Sequence, residues 1–406
     1  MKKILIALSF LLFSTYANAD CNIKSGSINI LANDFPALRT LVETAKECKG
    51  SADFKVTHSA EHNKIAVPAL TANPSEFSVR VAANSSIVPL MNADLIRPMN
   101  DLVKKYGQGI QDSQLITIDG KVMAVAFMAN TQHLYVRTDV LKENGIAIPK
   151  TYEEVVAAAE KIRAAGKMKY PYAAAYKAGW NLAEEFVNMY IGHGGEFFKA
   201  GTAQPNINNA KGVATLNMLK KLADLSNPDY LTHDSEAIKV EWESGNVAIM
   251  TLWASRSGTL LDDEGDAKIT AATKLVAPAT VGGGNIPAAT LWWDGFTLAK
   301  NRSDADAEAS FRSMAHAASS KEMVAKAADQ AVWLVEGFVP GPKSVGVIEA
   351  VKMGAKPYPM LPQMGLMHGA LGSEIVEFLQ GNESAEQALK DVEAAYMTKA
   401  KEQGFL

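Results

Sequence analysis

Residues 118–162 read IDGKVMAVAFMANTQHLYVRTDVLKENGIAIPKTYEEVVAAAEKI, and this segment contains the turn, strands and helix from which the fold can be argued. The Asp119-Gly120 pair between β-rich runs is typical of a tight hairpin turn. Apolar runs at 122–127 and 134–136 predict two further extended segments. Thr151 is followed three residues later by Glu154, a capping-box pattern that predicts an amphipathic helix from Tyr152.

Strand and helix patterns alternate along the preceding part of the chain. Residues 27–31 and 54–57 predict two strands with a helix from Pro36 between them, and residues 77–81 predict a third strand. This alternation favours an α/β fold of mainly parallel sheets flanked by helices. Ligands of open α/β sheets bind beyond the carboxyl ends of the strands, so residues that follow each strand are the first candidates for a site.

Length and composition limit the class of protein. A chain of 406 residues exceeds what one hydrophobic core usually supports, so we expect two domains. The composition is that of a soluble protein, with 48% hydrophobic and 21% charged residues. The formal net charge of −4 gives no reason to expect nucleic acid or an anionic membrane surface as a partner.

The N-terminal residues have the pattern of a secretory signal peptide. Lys2 and Lys3 precede an apolar run at 4–13, and Ala17-Asn18-Ala19 offers small residues for cleavage after Ala19. The apolar run is too short to span a bilayer. Asp20 stands before Cys21, where a lipoprotein signal needs a small residue. We therefore expect an exported, periplasmic protein that is not a lipoprotein.

The chain has two cysteines, Cys21 and Cys48. The predicted strand and the antiparallel helix between them return the chain to its starting level, which brings the two side chains together. Export makes the pairing permissible by redox compartment, so we predict a disulfide, with two unrelated thiols as the alternative.

Tryptophans near polar residues and strand ends are candidates for ligand contact. Trp180 lies between Gly179 and Asn181, and Trp253 precedes Ala254-Ser255-Arg256. Trp292 and Trp293 are adjacent, so they cannot both face one side of a strand, and at least one is expected to face solvent or ligand. The alternative for each ring is packing in the core.

Several segments together resemble the extracytoplasmic solute-binding proteins of ABC importers, in the sugar-binding group that includes maltose-binding protein. The resemblance rests on the 119–121 DGK turn, the VRTDVL helix at 136–141, NGI at 144–146 and PKTYEE at 149–154. Further similarity lies in LIRPM at 95–99 and EWESGNVAIM at 241–250. Ala126 and Arg137 depart from the family's usual proline and asparagine.

The resemblance implies two lobes joined by three hinge crossings, with a ligand held in the cleft between them. The implied division is an N-terminal lobe of residues 20–129 and 277–330 and a C-terminal lobe of residues 130–276 and 331–406. The implied ligand is a neutral carbohydrate, either a mono- or short oligosaccharide or a polyol, delivered by a monomeric protein to membrane permease subunits. The candidate ligand-binding residues are Asp34, Asn84, Ser85, Asn130, Tyr176, Trp180, Trp253, Arg256, Trp293, Asp294 and His368.

Other classes of function receive less support. No GxSxG elbow, P-loop or catalytic-cysteine motif occurs, and Glu184-Glu185 are helix neighbours that diverge, which disfavours a glycoside hydrolase. No cofactor is expected, and His58 and His62 lack a third nearby metal ligand. A carrier of an acidic small molecule such as a sugar acid stays open as the alternative, with Arg256 or Arg137 pairing a carboxylate.

Overall fold

The computed structural model describes residues 21–262 and 265–406, so the predicted signal peptide at 1–19 lies outside the described residues. The described chain forms two α/β lobes, each built on its own sheet. We call the lobe with the larger sheet the N-lobe and the lobe with the smaller sheet the C-lobe. Among the described residues, no helix combines the length and apolarity needed to cross a membrane.

The strands and helices alternate through most of the chain. The strands are β1 (Ser27–Ala32), β2 (Asp53–His58), β3 (Val79–Ala83), β4 (Ile96–Arg97), β5 (Leu115–Ile118), β6 (Lys121–Asn130), β7 (Gln132–Arg137), β8 (Tyr172–Ala173), β9 (Ile249–Trp253), β10 (Thr273–Val276), β11 (Thr290–Ala299), β12 (Val332–Trp333) and β13 (Lys356–Pro357). The helices are α1 (Pro36–Glu47), α2 (His62–Thr71), α3 (Asn84–Asn92), α4 (Asn100–Tyr106), α5 (Thr138–Glu143), α6 (Tyr152–Ala164), α7 (Trp180–Gly192), α8 (Ala210–Ala223), α9 (Ser235–Glu243), α10 (Ser257–Leu260), α11 (Ala267–Ala272), α12 (Asp304–Ala318), α13 (Lys321–Lys326), α14 (Val345–Lys352), α15 (Met364–Gln380) and α16 (Ala385–Glu402).

Both sheets are mixed in strand direction, which corrects the expectation of mainly parallel sheets. The N-lobe order is β12-β6-β11-β3-β1-β2, with β4 and β13 also on β11 and β5 on β6, and the C-lobe order is β10-β7-β9-β8. The pairs β1–β2 and β1–β3 are parallel, as strand–helix–strand units require. The long strands β6 and β11 run antiparallel to each other, and β11 runs antiparallel to β3, because the chain re-enters this sheet from the C-lobe.

The chain passes between the two sheets at three places. It leaves the N-lobe at Thr131, between β6 and β7, and returns between β10 and β11. It leaves again after β12, which pairs with β6 in the N-lobe sheet. Ala279, Val281 and Ala288 pack in the C-lobe core, and Val332 pairs with Ala129 in the N-lobe.

Local predictions made from the sequence are found in the structure. Asp119 and Gly120 have φ angles of 50° and 74° and join β5 to β6 as an antiparallel hairpin. Thr151 caps α6 by accepting the Glu154 N–H, while the Glu154 carboxylate accepts the N–H of Lys150. A disulfide joins Cys21 to Cys48, as predicted, with 5.3 Å between their Cα atoms.

Candidate binding cleft

A cavity of about 150 Å³ lies where α2 and α3 of the N-lobe face the C-lobe. Ser85 and His368, both predicted ligand residues, are on opposite walls of this cavity. The N-lobe wall consists of Asn63, Ala66, Val67, Ser85, Ser86, Pro89 and Leu90. The C-lobe wall consists of Trp180, Tyr358, Gly365 and His368. The lobes also touch at the cavity's edge, where the Asn92 amide donates to the Pro362 carbonyl.

The C-lobe wall is the open face of an aromatic cluster. The Trp180 ring lies 6.2 Å from Trp253, 5.7 Å from Trp292 and 5.1 Å from His368, measured between centroids. Tyr358 packs behind, 4.5 Å from Trp292. Trp180 is 38% exposed, whereas Trp253 and Trp292 are buried at 9% and 6%. Of these three indoles, Trp180 therefore offers the accessible ring face, and the other two hold it in place.

The backbone at the start of α7 fixes the position of Trp180. Gly179 caps the helix with a φ of 97°, a conformation that L side chains rarely adopt. Its N–H donates to the carbonyl of Gly372 on α15, and a Cβ at Gly372 would lie 2.3 Å from the Gly179 oxygen. This close approach joins the helix that carries Trp180 to the helix that carries His368.

His368 is a buried member of the same wall. Its Nδ1 is 3.0 Å from the Tyr358 hydroxyl and its Nε2 is 3.0 Å from the Trp180 carbonyl oxygen. Burial lowers the pKa of His368 to about 4, with the hydrogen bond to Trp180 acting in the opposite direction. The imidazole is therefore neutral at physiological pH.

The adjacent tryptophans of β11 have different environments. Trp292 donates through Nε1 to the Thr290 hydroxyl and to the Glu184 carboxyl group. Trp293 is half-buried and packs against the apolar cluster beneath α2 and α3. The two rings thus face different parts of the molecule, as their sequence positions require.

Three further predicted residues are buried and bonded or packed within the protein. The buried Asn84 amide donates to the Leu291 carbonyl and accepts the Trp293 N–H, so it ties α3 to β11. Asn130 bonds Ser255 at the first crossing. Tyr176 is fully buried in the C-lobe core, against Tyr230.

Two predicted charged residues lie on another part of the lobe boundary. Asp34 is exposed and binds Arg39 through both carboxylate oxygens. Arg256 pairs with Glu236 at 3.0 Å and lies 5.5 Å over the ring of Phe35, the residue after Asp34. Arg256 therefore contacts the N-lobe, although it does not line the cavity described above.

Behind the N-lobe wall lies a polar group around a buried arginine that the sequence analysis missed. We call it the Arg80 cluster: His62, Asn63, Arg80 and Asp294. Arg80 is completely buried and donates through Nη2 to the Asn63 amide oxygen at 2.6 Å. Within the described residues, its Nε and Nη1 atoms and Nδ1 of His62 have no hydrogen-bond partner. An arginine between two valines of a strand is expected to be exposed, so the local sequence does not predict that Arg80 is buried.

Burial shifts the ionisation of this cluster. It lowers the pKa of Arg80 to about 10, while the nearby Asp294 carboxylate acts in the opposite direction. It raises the pKa of Asp294 to about 7, against the effect of the Arg80 charge. It lowers the pKa of His62 to about 3, with a further contribution from Arg80.

A second buried group, the crossing cluster, joins α7 to two crossings: Gln132, Glu184, Glu185, Asn188 and Thr290. Glu184 accepts from the Thr290 hydroxyl, and Glu185 accepts from the Gln132 amide, both at 2.9 Å. Asn188 donates to Gln132 and accepts the Thr290 N–H. Burial raises the pKa of Glu184 well above its usual range and that of Glu185 to about 8. Both carboxyls therefore bond protein groups.

His58 and His62 do not share a helix. His58 ends β2 with its Nδ1 2.9 Å from the Asn33 carbonyl oxygen, whereas His62 begins α2. In the described part of the chain, one group of three residues that could bind a metal lies close together, namely Cys21, Cys48 and His316. The two sulphurs of that group are joined to each other in the disulfide.

Comparison with known proteins places this fold in a family. Residues 43–357 match the model for bacterial extracellular solute-binding proteins. A probable ABC transporter-binding protein of Deinococcus radiodurans is 31% identical over 193 residues, which cover 46% of this chain and 44% of that protein. The matched region therefore spans less than half of this curated relative.

Solved structures share the fold over nearly the whole chain. Maltose-bound MalE3 of T. maritima has a TM-score of 0.80 at 17% identity, covering 92% of this chain and 99% of its own. An ABC transporter solute-binding protein from Agrobacterium radiobacter, in complex with ribitol, has a TM-score of 0.79 at 18% identity, covering 91% and 97%. With the family match spanning most of the chain, the protein belongs to the bacterial extracellular solute-binding protein family.

Proposed function

We propose that this protein is the periplasmic substrate-binding component of an ABC importer, and that it captures a neutral sugar or polyol between its lobes. The observation that carries the proposal is the Trp180 ring, exposed on the C-lobe wall opposite the polar N-lobe residues Asn63, Ser85 and Ser86. An aromatic face suits the C–H face of a sugar, and hydroxyl and amide groups suit its oxygens.

The size of the cavity favours a small ligand. A volume of about 150 Å³ is below the roughly 300–1,000 Å³ of typical ligand pockets. In this arrangement of the lobes, one ring or a linear polyol fits better than a long oligosaccharide. Relatives of this fold have been solved with maltose, ribitol and D-mannitol, which supports the same chemical class.

Delivery follows from differential binding by the two lobes. A ligand that contacts both walls favours the closed form by the difference between its affinities for the closed and open forms. The closed surface is then what membrane permease subunits recognise. The protein acts as a monomer without catalytic turnover or nucleic-acid binding, is exported by a signal peptide cleaved after Ala19, and is not a lipoprotein.

The two alternatives from the sequence have less structural support. Arg256 pairs with Glu236, and Arg137 pairs with Asp139, so the charge of each guanidinium is already paired with a carboxylate of the protein, which disfavours an acidic ligand at either residue. Glu184 and Glu185 are buried and bonded to protein groups, which disfavours a glycoside hydrolase built on them.

A thermal-shift panel tests the proposal. Residues 20–406 would be purified and unfolded with ribitol, D-mannitol, D-glucose and maltose, and with D-mannonate and D-glucuronate as acidic counterparts. We expect at least one neutral compound to raise the melting temperature, because binding to the native state stabilises it. Small-angle scattering of that complex should show a smaller radius of gyration. No stabilisation by any neutral compound, or product formation from maltose, would contradict the proposal.

A further inference from the structure

Tyr358 is attached to the strand that enters the N-lobe sheet at the second crossing. β13 pairs in parallel with the start of β11, with Pro357 opposite Leu291. The Tyr358 N–H donates to the Leu291 carbonyl oxygen at 3.1 Å. The same oxygen accepts from the Asn84 side chain at 3.2 Å, and Asn84 is the first residue of α3. One carbonyl group on β11 thus joins Tyr358 to the start of a helix that forms part of the N-lobe wall.

The side chain of Tyr358 contributes to the C-lobe wall of the cavity. Its ring is almost completely buried and packs 4.5 Å from the Trp292 ring. Its hydroxyl lies 3.0 Å from Nδ1 of His368, and Nε2 of His368 lies 3.0 Å from the Trp180 carbonyl oxygen. Two hydrogen bonds in series therefore connect the Tyr358 hydroxyl to the backbone of Trp180, the residue that exposes its ring to the cavity.

The partners of His368 fix which of its nitrogens carries the proton. A carbonyl oxygen only accepts, so Nε2 must donate to Trp180. Burial keeps the imidazole neutral by lowering its pKa, so Nδ1 has a lone pair and accepts from the Tyr358 hydroxyl. Both ring nitrogens are thus bonded within the protein. His368 offers a ligand in the cavity only the carbon atoms of its ring.

We propose that Tyr358 is a positioning residue for Trp180, and that its hydroxyl fixes, through His368, the ring that a sugar or polyol contacts. The inference rests on the proposed function and adds a residue that the sequence analysis did not select. Without the hydroxyl, the imidazole is held at one nitrogen instead of two, and the Trp180 ring 5.1 Å away loses a fixed neighbour. A contact that is fixed before the ligand arrives needs less ordering on binding, so its loss weakens affinity.

A double-mutant cycle tests whether Tyr358 acts through the Trp180 ring. Titration calorimetry of wild type, Tyr358→Phe, Trp180→Ala and the double variant would use whichever of ribitol, D-mannitol, D-glucose and maltose stabilises the wild type. We expect Tyr358→Phe to weaken binding about three- to tenfold when Trp180 is present. In the Trp180→Ala background the same substitution should change affinity by less than about 1.5-fold, because the ring that it positions is absent.

Tyr396→Phe is the matched control. Tyr396 is a fully buried C-lobe tyrosine whose hydroxyl donates to the Ala203 carbonyl at 2.7 Å, and it does not line the cavity. Its substitution removes a comparable buried hydrogen bond, so stability should fall while affinity stays within about twofold of wild type. Thermal unfolding of every variant separates loss of affinity from loss of folding. His368→Phe, which keeps a ring and removes both bonds, replaces Tyr358→Phe in the cycle if that variant does not fold.

Nuclear magnetic resonance of the ligand-free protein tests the connection without any ligand. Long-range proton–nitrogen correlation spectra should show His368 in the neutral form that carries its proton on Nε2. In Tyr358→Phe the Nδ1 resonance should shift, because its hydrogen-bond donor is gone. A proton on Nδ1 in the wild type would overturn the connection from Tyr358 to Trp180, whatever the protein binds.

The binding outcomes separate this inference from the proposed function. Wild-type affinity in Tyr358→Phe would overturn the positioning role. Equal weakening with and without the Trp180 ring would also overturn it, since the hydroxyl would then contact the ligand itself. Either result leaves the proposed function intact. Failure of every neutral compound to bind wild type would overturn the proposed function, and the positioning role with it.

Discussion

Two polar clusters, the Arg80 cluster in the N-lobe and the crossing cluster where the chain passes between lobes, differ in how far the protein itself satisfies their buried groups. In the crossing cluster, Asn188 bonds both Gln132 and Thr290, and Thr290 also bonds Glu184. In the Arg80 cluster, Asn63 accepts one bond from Arg80, and the remaining guanidinium edge has no partner among the described residues.

This difference predicts unequal contributions of the two clusters to stability. Well-bonded networks rigidify the elements that they join, and the crossing cluster joins α7 to β7 and β11, where the chain passes between lobes. One carboxyl oxygen of Glu184 lacks a hydrogen-bond partner among the described residues, whereas the Arg80 cluster has three such atoms. A cluster left short of partners costs stability in the free protein. Stability should therefore depend more on the crossing cluster than on the Arg80 cluster.

The largest effect is expected from Asn188→Ala. The substitution leaves the Thr290 N–H and the Gln132 amide oxygen buried without their partner. At about 1–3 kcal/mol for each of the two unsatisfied groups, unfolding in urea should show a loss of about 2–6 kcal/mol. Asn181→Ala, at a half-buried position in the first turn of the same helix, should change stability by less than about 1 kcal/mol. Equal losses in both variants would show that the network has no special structural role.

The next largest effect is expected in the pH dependence of the free energy of unfolding. The pKa of Glu185 is raised to about 8 by burial, so its folded-state stabilisation is complete below the unfolded pKa of roughly 4.3 and is lost as pH rises through 8. Between pH 5 and 8, wild type should lose about 2–4 kcal/mol more than Glu185→Gln, which keeps the shape and an acceptor for Gln132. Parallel stability–pH curves for the two proteins would contradict this assignment.

Much of the fold was predictable because its signals are local. The Asp119-Gly120 turn, the Thr151 cap and the return of Cys48 to Cys21 each depend on residues close in sequence, and all are present in the structure. The direction of the long strands was not predictable in this way. β6 and β11 meet across more than 150 residues, and no local pattern reports which way the chain re-enters a sheet.

The candidate site was harder to predict because burial depends on distant elements. Arg80 is buried since α2 covers its face of the sheet, although its strand neighbours give the pattern of an exposed side chain. The burial of Glu184 and Glu185 was not predicted either, because it depends on the elements that cover α7 along nearly its whole length. Three aromatic candidates, Trp180, Trp253 and His368, are neighbours in the structure, and their role in ligand binding stays a prediction.

A moderate effect on affinity alone is expected from Trp180→Ala. Trp180 is the exposed ring of the aromatic cluster, so its loss should reduce sugar or polyol affinity by about 1–3 kcal/mol, roughly ten- to hundredfold. Trp333 is a buried N-lobe indole that donates to the Ala327 carbonyl, and Trp333→Ala should instead cost about 3–5 kcal/mol of stability. Calorimetric titration and thermal unfolding of both variants would check this. Unchanged affinity in Trp180→Ala would show that the Trp180 ring packs against its neighbours and does not bind the ligand.

The smallest expected effect is on the stability of ligand-free Arg80→Met. The substitution removes one hydrogen bond to Asn63, an exposed residue that water can satisfy. It also removes a buried charge with two unsatisfied nitrogens, and replacing such a group with an apolar side chain of similar length is often neutral or stabilising. Urea unfolding without ligand should therefore show a change within about 1 kcal/mol of wild type, in either direction. A loss comparable to that of Asn188→Ala would mean that Arg80 supports the N-lobe as the crossing cluster supports the hinge, and the distinction between the two clusters would fail.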